Sequence, residues 1–133
     1  MTRLLVGTDS VETSEKILEY LLDTLEDGDE VYVINSQVGG EDTSEDEILE
    51  GEEALEVLVE GLSDLAPVEQ HQLVRGKAPV EEFLDCADDW EVDEYVIGIR
   101  KRSPVGKMVF GSTAQNLLLE SDLPVRCIPL VSD

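Results

Sequence analysis

The chain alternates short apolar runs with longer stretches in which apolar residues recur every three or four positions. Residues 3–8, RLLVGT, and 30–35, EVYVIN, are compact apolar runs and read as buried strands. Between them, residues 13–26 place Ile17, Leu18, Leu21, Leu22 and Leu25 on one face of a helix. A polar stretch, SQVGGEDT, follows the second strand. Ser44 and Glu47 then have the spacing of a capping box, and Ile48, Leu55, Leu58, Val59, Leu62 and Leu65 form the stripe of a second helix. Residues 68–74, VEQHQLV, make a strand with a polar interior, which suits a sheet edge. Pro79 sits in the first turn of a third helix, with Val80, Phe83, Leu84 and Ala87 facing inward. Residues 94–99, EYVIGI, are apolar on both faces. Ala114, Leu117 and Leu118 mark a short fourth helix, Asp122-Leu123-Pro124 ends it, and VRCIPLV is the last strand.

Strand–helix alternation with nearly continuous apolar strands predicts an α/β domain, with a parallel sheet covered by helices on both faces. The first, second and fourth strands are the most apolar and should be central. Right-handed crossovers then favour an open five-stranded sheet of order 3-2-1-4-5, in one domain spanning residues 1–133. No internal repeat, linker or low-complexity tract interrupts it.

Composition narrows the function classes. The chain carries 32 acidic and 9 basic residues, a formal charge of −23. Duplex nucleic acid needs a broad basic face, so nucleic acid is not an expected partner. The carboxylates are spread over helices and loops rather than gathered in a tail, a pattern suited to a salt-rich cytoplasm. No run of about 18 apolar residues exists, so no membrane span is expected. The opening MTRLLVGTDS enters an apolar run at once and lacks the pattern of a signal peptide, so a cytoplasmic location is expected. Cys86 and Cys127 belong to no CxxC or Cys/His cluster, and His71 is the sole histidine. The cysteines read as small apolar fillers, and no metal site is expected.

Against that acidity, Arg100, Lys101, Arg102 and Lys107 fall within eight consecutive positions. In an open sheet of this order the chain leaves strands 1 and 4 in opposite directions, and a crevice opens at their carboxyl ends. Gly7-Thr8-Asp9-Ser10 and Gly98 with its following loop must meet there. That loop ends in Gly111-Ser112-Thr113 at a helix start, where backbone N–H groups and the helix dipole favour an anion. These are the physical elements of a phosphate site. The same residues also admit a purely structural account, with Ser112 or Thr113 capping the helix and the cations paired to carboxylates.

At these residues the chain resembles the universal stress protein family. The likeness covers nearly its whole length, through Thr8-Asp9, TSEKILEY, RGKAPVEEFLDCA and LPVRCIPL. The family's nucleotide pattern G-x2-G-x9-G-[ST] falls on Gly98, Lys101, Gly111 and Ser112, with Lys101 where the second glycine usually stands. The resemblance implies an adenine nucleotide alpha hydrolase-like fold, usually dimeric, acting in stress response or signalling. It implies ATP or a related adenine nucleotide as ligand, with Mg²⁺ as an accompanying ion. By position, Thr8 and Asp9 would meet the adenine end, as would the end of strand 2 near Asn35 and Ser36. Ile97 and Gly98 would line the ribose and phosphate approach, and Gly111, Ser112 and Thr113 would hold phosphate. Lys101 either obstructs a triphosphate, points outward, or joins Arg102 in supplying compensating charge.

Three functions remain in play. The first is a nucleotide-binding module, the second a nucleotide-independent interaction protein on the same fold. The third is a slow ATPase or phosphotransferase, which has the least support: there is no GxxxxGK[ST] loop and no histidine near the crevice, so no catalytic residue is assigned. A homodimer is expected through the last strand, residues 124–131. There Val125, Ile128, Leu130 and Val131 make an apolar edge guarded only by Arg126 and Pro129.

Overall fold

The computed structural model describes residues 1–37, 44–74, 78–101, 108–109 and 112–130; for residues 36, 37, 74, 100, 101, 108, 109, 112 and 113 it describes the backbone alone. The elements follow in the order β1 (Arg3–Gly7), α1 (Val11–Thr24), β2 (Glu30–Gln37), α2 (Glu45–Leu62), β3 (Val68–Val74), α3 (Pro79–Asp89), β4 (Glu94–Lys101), β5 (Met108–Val109), α4 (Ser112–Glu120) and β6 (Val125–Pro129).

Five strands are parallel and run β3-β2-β1-β4-β6 across the sheet. This is the order expected from the hydrophobic pattern, with β6 as the fifth parallel strand. The register is regular: Leu5 pairs with Tyr32, Ile34 with His71, Leu5 with Tyr95, and Ile97 with Cys127. The two-residue β5 is an addition the sequence did not suggest. It pairs antiparallel with the end of β4, Arg100 with Val109 and Lys101 with Met108.

Alternation along each strand sends side chains to two separate cores. Leu4, Val6, Val31, Val33, Val96 and Ile128 face α1 and α2, where they meet Ile17, Leu21, Leu55, Leu58 and Leu62. Leu5, Ile34, Tyr95 and Ile97 face the other way and meet Phe83, Cys86, Ala87 and Leu117. Each large side chain so buried stabilises the fold by roughly 1.5–3 kcal/mol. On the second face, near the β3 edge, Trp90 stacks on both Tyr32 and His71, at centroid distances of 5.1 and 4.6 Å. Cys86 is buried and Cys127 half-buried, and the two are not joined in a disulfide.

Several expected core positions differ. Leu22 and Leu118 are exposed because each lies beside the buried ridge of its helix: Ile17 and Leu21 take the contact in α1, and Leu117 in α4. Leu65 is exposed because α2 ends at Leu62, so the helical period no longer places it. In β6 and the residue after it, the expected exposure of the apolar side chains is corrected too. Ile128 and Leu130 are only 8% and 6% exposed, because both side chains pack into their own subunit. Val131 lies outside the described residues.

Candidate functional site

The carboxyl ends of β1 and β4 are built from adjacent backbones. Val6 pairs with Val96, and carrying that register forward two residues sets Thr8 level with Gly98. Beyond this point β1 turns into α1, while β4 runs on to Lys101.

The β1–α1 turn is held by hydroxyl groups. Ser10 is the N-cap of α1, in extended conformation, and its Oγ accepts from the Thr13 N–H at 3.2 Å. Its hydroxyl donates to Thr13 Oγ1, which in turn donates to Asp9 Oδ1 at 2.7 Å. The Asp9 side chain is exposed at the mouth of the turn, oriented by that contact. Thr8 has a different situation. It is buried, and its hydroxyl lies 2.6 Å from Ser14 Oγ and 3.2 Å from the Ser10 carbonyl. Ser14 Oγ itself donates to the Ala54 carbonyl at 2.7 Å. The single Thr8 hydrogen therefore has two acceptors within the protein, and this side chain fastens the turn.

On β4, Ile97 is buried among the residues that face α3 and α4. Gly98 is half-buried, and the reason for glycine is internal. A Cβ there would stand 2.7 Å from Leu130 Cδ2, so the space belongs to the residue that follows β6. Lys101 is the final residue of β4, in extended backbone that any residue adopts, so no conformational demand for glycine exists at that position. Arg102 and Gly111 lie outside the described residues. Ser112 and Thr113 are the first two residues of α4, at the end of the helix where backbone N–H groups lack helical partners.

The structure thus brings Thr8, Asp9, Ile97 and Gly98 to one end of the sheet, with Asp9 the exposed member. Asn35 acts in a way the sequence alone did not reveal. Its side-chain amide is 4% exposed and donates to the Thr8 carbonyl at 2.9 Å. The available signal was a lone amide closing an otherwise apolar run, VYVIN. Among the described residues no group of three or more His, Cys, Asp or Glu gathers as metal ligands, and no helix is long and apolar enough to cross a membrane.

An open parallel sheet with helices on both faces, and with a capped turn and the end of β4 converging at its switch point, defines a doubly wound α/β domain. Residues 1–129 match the model of the Universal stress protein family, and the chain belongs to that family. Over 62 residues it is 47% identical to a universal stress protein of Mycolicibacterium smegmatis, and the match spans 47% of each chain, about half the relative's length. A universal stress protein structure from Archaeoglobus fulgidus superposes with a TM-score of 0.78 at 36% identity, covering 96% of this chain and 98% of that one. The structure of the Archaeoglobus fulgidus universal stress protein in complex with dAMP superposes at 0.71 with 30% identity, over 96% and 98% of the two chains.

Proposed function

We propose that this chain binds an adenine nucleotide, AMP or ATP, in the crevice between the carboxyl ends of β1 and β4, and acts in stress response or signalling without chemical turnover. The observation that carries the reading is the convergence of the Asp9 turn with the end of β4 at the switch point. The fold is shared with the dAMP-bound Archaeoglobus protein. Asp9 would accept from the exocyclic amine of adenine, while Thr8 supports it from behind. The segment from Gly98 to Lys101 and Arg102 would follow ribose and phosphate. Gly111, Ser112 and Thr113 would take the phosphate at the start of α4. Mg²⁺ enters only as the ion carried by ATP's own phosphate oxygens.

Dimerisation through β6 belongs to the same proposal. The strand pairs with β4 on one side, and Pro129, with no N–H to offer, stands exposed near its end. A second copy of the strand, related by a two-fold axis, would pair antiparallel along the other side.

Titration calorimetry with AMP and ATP tests the site. Wild type is expected to bind, and Gly111→Val with Ser112→Ala to bind at least tenfold more weakly, about 1.4 kcal/mol, while remaining folded. Equal affinity in the folded double variant would reject the phosphate assignment. A wild type that binds neither nucleotide would favour the nucleotide-independent interaction protein.

A further inference from the structure

The β1–β2 ladder ends one bond too early to hold the Thr8–Asp9 peptide. The Thr8 N–H is the last to pair with β2, donating to the Ile34 carbonyl at 3.1 Å. The Thr8 carbonyl comes after it, and the acceptor is satisfied by a side chain instead, Asn35 Nδ2 at 2.9 Å. The amide is seated on both sides. Gln72 Nε2, from β3, lies 3.4 Å from Asn35 Oδ1 and donates to the Ile48 carbonyl of α2 at 2.7 Å. On α2, a Cβ at Gly51 would stand 2.1 Å from Asn35 Oδ1, so a glycine occupies a helical position that faces the amide. Ala54, three residues further along α2, accepts from Ser14, which touches Thr8.

We infer that Asn35 is a positioning residue for the nucleotide turn: it sets the plane of the Thr8–Asp9 peptide and hence the direction of Asp9. The physical link is peptide planarity. The bond is trans, so the N–H of Asp9 points opposite to the carbonyl of Thr8. Pulling that carbonyl toward Asn35 and α2 turns the Asp9 amide away from α2. An apolar residue at 35 would leave the carbonyl buried without its donor, a state buried polar groups avoid. The turn would then rotate to find another donor and take Asp9 with it. The inference rests on the nucleotide reading for its functional consequence, but the ordering of the turn is a property of the ligand-free chain.

The test uses Asn35→Leu, together with Gly51→Ala, which displaces the same amide from the α2 side without altering β2. In ligand-free protein, the Thr13 and Ser14 amides at the start of α1 should exchange with deuterium at least tenfold faster in both variants. The Leu5 and Val6 amides should keep their wild-type rates, which separates a loosened turn from general destabilisation. Where wild type binds AMP, both variants should bind AMP and adenosine at least fivefold more weakly, and by the same factor, because the defect lies at the base end. Unchanged exchange at Thr13 and Ser14 in both variants would overturn the inference whether or not nucleotide binds. So would unchanged AMP affinity in variants of a wild type that binds it. A wild type that binds neither AMP nor adenosine, with the exchange effect present, would reject the nucleotide reading and leave the positioning of the turn supported.

Discussion

Phe83 occupies the space that a side chain on residue 7 would need, since a Cβ on Gly7 would lie 2.1 Å from Phe83 Cζ. Glycine at the end of β1 is therefore the condition for α3 to seat close to the sheet. Beside it, Tyr95 meets Phe83 edge-on, with centroids 6.3 Å apart and planes at 75°. Tyr95 is 2% exposed, and burial pushes its phenol above the ordinary range. The folded chain thus holds the phenolic proton more tightly than the unfolded one. The associated stability is complete below the unfolded value of about 10 and is lost as pH rises through the folded value. Urea unfolding across alkaline pH should show stability falling above about pH 10, with a shallower fall in Tyr95→Phe. An identical slope in the variant would mean that Tyr95 titrates alike in both states. The glycine at the end of β1 could be read from the sequence, but its partner could not. Phe83 lies 76 positions away, and no local pattern links the two. Asn35 and Thr8 present the same difficulty: each looks like an ordinary strand-end polar residue until the parallel register sets them side by side.

The elements were legible to the degree that their signals are local. Ser44 Oγ accepts from the Glu47 N–H at 3.2 Å, as the capping-box spacing implied, and Pro79 opens α3. β5 was not legible, because two residues become a strand only through their pairing with Arg100 and Lys101. The candidate site follows the same rule: its place at the strand ends came from topology, while the burial of Thr8 and Ile97 depended on helices packed from elsewhere. For β6, the backbone pattern decides how dimerisation should be tested. The Pro124 carbonyl accepts from Tyr95 and the Leu130 N–H donates to Ile99, so even-numbered residues bond inward to β4. By parallel-ladder alternation, the N–H groups of Val125 and Cys127 point to the open edge. Cys127→Pro removes one outward donor and no bond to β4. In the proposed dimer, sedimentation in molar salt should give twice the chain mass for wild type and a monomer for a folded Cys127→Pro. A wild-type monomer at micromolar concentration would reject pairing through β6. Charge reversal at Ile128 would be a poor probe, because that side chain is in the core.

Across the whole molecule, charge is the dominant imbalance. With 32 acidic against 9 basic residues, most carboxylates have no cation to pair with. Among the described residues, Arg3 bridges Glu30 at 2.8 Å and Glu91 at 3.6 Å, Lys16 meets Glu19 at 3.7 Å, and Arg126 meets Glu94 at 2.5 Å. None of α1, α2, α3 or α4 carries a basic residue in its own last turn, although at α3 the Arg3 guanidinium donates to the carbonyl of the C-cap residue Trp90 at 3.1 Å. Such pairs, where exposed, contribute at most about 1 kcal/mol each. Self-repulsion of the folded state must then be relieved by the solvent. The Debye length falls from about 30 Å at 0.01 M salt to about 10 Å at 0.1 M and about 3 Å at 1 M. Most of the long-range relief therefore arrives below about 0.1 M, before salting-out of apolar groups becomes strong. Thermal unfolding in potassium chloride from 0.01 to 1 M should give a melting temperature that climbs by at least about 5 °C, which corresponds to roughly 1–2 kcal/mol for a chain of this size. A neutral excluded osmolyte, sucrose, matched in its effect at high concentration, should not reproduce the steep rise below 0.1 M. A melting temperature that stays flat or falls over that range would show that the carboxylates are balanced within the fold, and would remove the case for a salt-adapted surface.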